Sequence, residues 1–126
     1  MNNFIIISYF EEQENQQSFE EKIRTNFPRH LEEENDELKY LAFSAHNQAG
    51  VEDYIKDVLN EYSIGTEEYV ALYYSRPDDP EEIQRAMLLG HDNLLETHLQ
   101  KIKPEDHVDT LSRLLTFDFV NEMQNR

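Results

Sequence analysis

The sequence predicts a single α/β domain over residues 1–126: a three-stranded, mainly parallel βαβαβ sheet flanked by helices, with extra helices at its C-terminal end. Three observations predict it. Phe4-Ile5-Ile6-Ile7-Ser8-Tyr9-Phe10 is an uncharged, largely β-branched and aromatic run in a chain otherwise crowded with carboxylates; such a run needs cover on both faces and reads as a central strand. Two further β-forming stretches, 38–45 and 69–75, alternate with segments of helical period. The last third of the chain then reads as helices.

Taken in order, the first strand gives way to a polar connector, Glu11 to Gln17, and to Ser18 followed by Glu21, the spacing of a capping box. Phe19, Ile23 and Phe27 recur at four-residue intervals, so a helix is expected over 18–27, stopped by Pro28. Residues 31–37 hold four glutamates and an aspartate without a period and read as a solvated loop. In 38–45, Leu38, Tyr40 and Ala42 alternate with Leu41 and Phe43, a strand covered on both sides. After a turn at 46–50, Val51, Tyr54, Ile55, Val58, Leu59 and Tyr62 mark a helix that Gly65 closes. Tyr69 to Ser75 is the third strand.

Asp79-Pro80-Glu81-Glu82 has the chemistry of a helix start, with Ile83, Ala86 and Met87 on one face and Gly90 at the end. A short helix is therefore expected here. Its rival is a strand over 83–89 pairing back on the third strand, which turns the sheet into a mixed, ferredoxin-like arrangement. Leu94, Leu95, His98, Leu99 and Ile102 line the next helix, and Pro104 starts the last, expected over 104–123. That final helix carries Val108, Leu111, Leu115, Phe119 and Met123 in one stripe, widened by Leu114, Phe117 and Val120. It is expected to cap the sheet or to dimerise, with Phe117, Phe119, Val120 and Met123 at a homodimer interface.

Charge sets the class of partner. The chain carries 27 acidic and 11 basic residues, a formal −16, which repels phosphate backbones and anionic lipid and favours a basic protein partner. Divided at residues 50 and 100, the segments carry −6, −9 and −1, so the acidity belongs to the body and not to the tail. No cysteine is present; disulfides and thiolate sites are excluded, and a reducing cytoplasm is the expected compartment. No run is long enough for a transmembrane helix, no basic leader precedes the first strand, and no membrane association is expected.

The chemistry-bearing residues are sparse. Gly50, Gly65 and Gly90 are isolated and end elements, so no phosphate cradle and no cofactor is implied. His91, His98 and His107, with Glu96 and Asp109, lack the paired spacing of zinc ligands, and no metal is expected. In a parallel sheet, Ser8, Ser44, His46, Ser75 and Arg76, with Asp78 or Asp79, would share the crevice at the strands' carboxyl ends. That crevice carries the alternative reading, a small hydrolase or transferase with His46 as acid or base.

The leading expectation is a non-enzymatic acidic module that masks a basic surface on a partner protein, as an inhibitor, immunity factor or nucleic-acid mimic does. Glu32, Glu33, Glu34, Asp36, Glu67, Glu68, Asp78, Asp79, Glu81 and Glu82 would supply the charge. Uncovered tyrosines near these acids, Tyr9, Tyr62 or Tyr69, would mark the interface. A structural homo-oligomer is the third reading.

Overall fold

The computed structural model describes residues 2–34, 38–63, 65–76 and 78–119, the side chain of Pro80 excepted. Asp36, Val120 and Met123 among the expected contact residues lie outside this set. The elements are β1 (Asn2–Tyr9), α1 (Gln13–Asn26), β2 (His30–Glu34), β3 (Lys39–Ala45), α2 (Gln48–Leu59), β4 (Tyr69–Arg76), β5 (Asp79–Leu89), α3 (Asp92–Leu99) and α4 (Pro104–Leu115).

The five strands form one sheet in the order β2-β3-β1-β4-β5, and every neighbouring pair is antiparallel. The expected three-stranded parallel sheet is thereby overturned. Because β1 runs against both β3 and β4, β1 and β2 point the same way with β3 between them, and β3 and β4 point the same way with β1 between them. These are two interleaved split βαβ units, the ferredoxin-like core, with β5 added as a hairpin on β4. The rival reading that made 83–89 a strand was the closer one, although no adjacent pair is parallel.

Two misread segments account for the difference. His30–Glu34 is not a solvated loop but the edge strand β2. Its alternation is hidden because its side chains are held by ion pairs: exposed Glu32 meets Arg24 and Lys39 on the α1 side, and half-buried Glu33 meets Arg113 of α4 on the other. Inserting this strand reverses the direction in which β3 re-enters the sheet. Asp79–Leu89 is not a helix. Ile83, Arg85 and Met87 sit opposite Ser75, Tyr73 and Ala71 of β4, and this pairing outweighs a modest local helical pattern. Gly90 ends β5 at φ +80°, where a β-carbon would lie 2.4 Å from the Glu68 carbonyl oxygen.

Both sheet faces are covered. Phe4 and Ile6 of β1 face α1 and α2 together with Leu41, Phe43, Val70 and Leu72. Ile5 and Ile7 face α3 and α4 together with Tyr40, Ala42, Tyr69, Ala71 and Tyr73. All four consecutive β1 side chains are 1% exposed or less, and each apolar side chain so buried contributes about 1.5–3 kcal/mol. The expected two-sided cover of this run is what the fold provides.

The helices shift in their bounds. α1 begins at Gln13, so Ser18 is no N-cap; its hydroxyl lies 2.9 Å from the Tyr62 hydroxyl. α2 has its own cap, Asn47, whose side chain accepts from the Gly50 backbone N–H at 2.6 Å. α4 ends at Leu115 rather than continuing to 123, and the amide of Asn3 donates to the Leu115 and Phe117 carbonyl oxygens at 2.9 and 2.7 Å. Phe119 then folds back, 2% exposed, against the α3–α4 face, with Phe117 packed on it. Asn3→Ala leaves those carbonyls unsatisfied and is expected to cost about 1–2 kcal/mol in urea denaturation, with an unchanged denaturant slope.

Candidate functional site

An antiparallel sheet splits the expected crevice, although Ser44 and His46 still line one cavity of about 360 Å³ beside Phe27 and Arg29. Ser8 lies at the carboxyl end of β1, paired with Val70 at the start of β4. Ser44, His46, Ser75 and Arg76 lie at the opposite end of the sheet, beside Asn2 to Phe4. Even there β1 separates the His46 side from the Ser75 side, by about 10 Å of backbone at ordinary strand spacing. The Ser8 hydroxyl accepts from Gln16 Nε2 at 2.9 Å, and the same amide donates to Glu20. Among the described residues no group of three His, Asp or Glu is arranged to hold a metal ion, and no helix is long and apolar enough to cross a membrane.

The predicted acidic residues fall into two classes. Three serve the fold. Burial pushes the Glu32 carboxyl up, but Arg24 and Lys39 together hold it below the ordinary carboxylate range. Arg113 holds Glu33 below that range by a two-pronged hydrogen bond. Glu68 is 3% exposed and accepts from the backbone N–H groups of Glu11, at 2.9 Å, and Gly65, at 2.6 Å. It ties the β1–α1 connection to the loop before β4. Glu34, Glu67, Asp78, Asp79, Glu81 and Glu82 are exposed, and none of them forms an ion pair with another described residue.

These exposed acids occupy opposite ends of the sheet. Asp78, Asp79, Glu81 and Glu82 crowd the tip and first residues of the β4–β5 hairpin, on an edge strand. Glu34 and Glu67 stand at the other end, around the carboxyl terminus of β1. There Tyr9 is 39% exposed, whereas Tyr69 is buried and Tyr62 half-buried. Two cavities flank Tyr9: one of about 430 Å³ toward Gln16, Glu34 and Lys39, and one of about 400 Å³ toward Glu11, Glu67 and α3.

The helices over this face are pinned by two tyrosine–histidine pairs. The Tyr69 hydroxyl lies 2.7 Å from His98 Nδ1 of α3, and the Tyr40 hydroxyl 2.8 Å from His107 Nδ1 of α4. Arg85 of β5 adds ion pairs to Asp92 at 3.2 Å and Glu96 at 3.0 Å, both on α3. Burial, and then the Arg85 cation, push the His107 imidazole below its ordinary value, with Glu96 opposing. These pairings join partners up to 67 residues apart and have no local signature; the sequence marks Tyr69, with Tyr9 and Tyr62, as a tyrosine near acids, and His98, His107 and Glu96 as residues without zinc-ligand spacing.

The depressed His107 gives a pH signature. Its folded-state affinity for protons is below that of the unfolded chain, so its contribution to stability is full above about pH 6.5 and is lost as pH falls below that value. In denaturation across pH 5–8, wild type is expected to lose stability relative to His107→Gln on acidification, the gap between the two closing toward pH 5.

No protein-family model, no curated protein and no solved structure matches the chain.

Proposed function

We propose that this chain is an acidic protein-binding module that covers a positively charged surface on a partner protein, in the manner of an inhibitor, an immunity factor or a nucleic-acid mimic. One observation carries the reading. With 27 acids and 11 Lys and Arg residues, 16 carboxylates have no cation of their own even if every possible pair forms. Folding has already drawn Lys22, Arg24, Lys39, Arg85 and Arg113 into ion pairs. The surplus remains outward, and a partner's cations are what it can accept.

The binding residues are now the exposed set: Asp78, Asp79, Glu81 and Glu82 on the hairpin, with Glu34 and Glu67 at the far end. Charge of this kind governs encounter more than residence. Recovered from cells at low salt on the tagged protein, a basic partner is expected to associate about tenfold more slowly with the variant Asp79→Lys, Glu81→Lys, Glu82→Lys, and to bind more weakly as salt rises. Retention of no basic protein, or an association rate indifferent to salt, would sink the reading.

The hydrolase or transferase alternative, with His46 as acid or base, loses Ser8 to the other end of the sheet but keeps one supporting observation: His46 and Ser44 line a cavity of about 360 Å³ together with Arg29. A structural homo-oligomer keeps one supporting observation: Val108, 53% exposed on α4, borders an apolar groove with Leu99, Ile102 and Pro104. If a second copy fills that groove, sedimentation gives twice the chain mass for wild type and the single mass for Val108→Glu; a wild-type monomer at micromolar concentration removes this reading.

A further inference from the structure

We infer that the cavity between Tyr9 and α3 is a seat for one arginine side chain of the partner protein. The inference rests on the partner being basic, and it names a contact that diffuse charge does not supply. The cavity, of about 400 Å³, is lined by Tyr9, Glu11, Glu67, Leu94, Thr97 and His98. No Lys or Arg lines it, and neither Glu11 nor Glu67 makes an ion pair among the described residues.

The lining matches the parts of an arginine. Its guanidinium is planar, weakly hydrated and attracted to the face of an aromatic ring. Tyr9 is one of only two large apolar side chains exposed among the described residues. Two carboxylates border the same space and can take the guanidinium's outward N–H groups. Leu94 offers apolar surface to the three-carbon stem. Thr97 is occupied, its hydroxyl donating to the Asn93 carbonyl at 2.8 Å, so the polar preference of the cavity is set by its carboxylates.

The site is built rather than incidental. The Tyr9 ring stacks on Tyr69 with centroids 6.1 Å apart and stands at 74° to the His98 ring, 5.3 Å between centroids. Tyr69 and His98 are themselves joined by their hydrogen bond, so the ring is held before any ligand arrives. Buried Glu68 holds the backbone of Glu11 and fixes the loop that presents Glu67. Gly65 makes room for the Glu11 carboxylate: a β-carbon there would stand 3.1 Å from its oxygen.

The test is an NMR titration of the whole chain with N-acetyl-arginine amide, using N-acetyl-glutamine amide as the neutral control. Saturable shifts are expected at Tyr9, Thr97 and His98 with the arginine compound and not with the glutamine one. Tyr9→Leu and Glu67→Gln are each expected to weaken binding by about tenfold while leaving distant resonances in place. Glu67 is exposed, so its variant keeps the test sound if Tyr9→Leu perturbs the fold. Shifts spread evenly over the surface, or unchanged in both variants, would overturn the seat. Shifts confined to Asp78–Glu82 would overturn it too while leaving the acidic-surface reading intact, and the salt dependence of partner association tests that reading separately.

Discussion

Everything in this fold depends on burying β1 on both faces. Phe4, Ile5, Ile6 and Ile7 are consecutive, so a strand sends two of them to each side, and neither side can be left to water. A four-stranded split βαβ core with two helices covers only one face of its sheet. The second face is closed here by α3, α4 and the returning Phe119. That explains a C-terminal region more apolar than one face of a small domain ordinarily accepts: Leu95, Leu111, Leu114 and Phe119 cover Ile5, Ile7 and the tyrosines of β3 and β4. Among the described residues of that stripe, only Val108 is left strongly exposed.

The same arrangement divides the charge. Cations are few, and the structure uses them where carboxylates must lie against the sheet or its helices. Arg24 and Lys39 meet Glu20 and Glu32 on one side of β2, Arg113 meets Glu33 on the other, and Arg85 fastens α3. These contacts are partly or fully exposed and individually modest. Their effect is positional: they let a strand of three successive glutamates sit at a sheet edge, where its charge also discourages edge-to-edge pairing with other chains. Of the predicted contact acids among the described residues, those left without such partners lie on the hairpin tip and around Tyr9, at the two ends of the sheet.

Much of the local structure was legible because it rests on local periodicity. Phe4 to Tyr9, Tyr40 to Phe43 and Tyr69 to Tyr73 carry alternation or continuous burial, and Val51, Ile55, Val58 and Leu59 carry a helical repeat. The helix–strand ambiguity over 83–89 was also legible, and the pairing with β4 resolved it. The candidate site was far less so. Grouping Ser8 with His46 and Ser75 requires a parallel sheet, and the antiparallel one puts Ser8 at the other end. Tyr9 and Glu67 are legible as residues near an acidic surface, but the cavity that joins them is built from three separate stretches of chain, 9–11, 67 and 94–98.

Composition and periodicity therefore determined the central strand, the positions of β3, β4, α2 and α3, and a surplus of sixteen negative charges that no fold of this chain can neutralise. These are sums over residues or patterns within a few turns of chain, and they survive any arrangement in space. Strand direction, the existence of β2, and the choice of which carboxylates are tied down and which face outward were decided by tertiary structure alone. Each depends on an encounter between groups far apart in sequence, Glu33 with Arg113 or Tyr40 with His107, whose partners have no local mark.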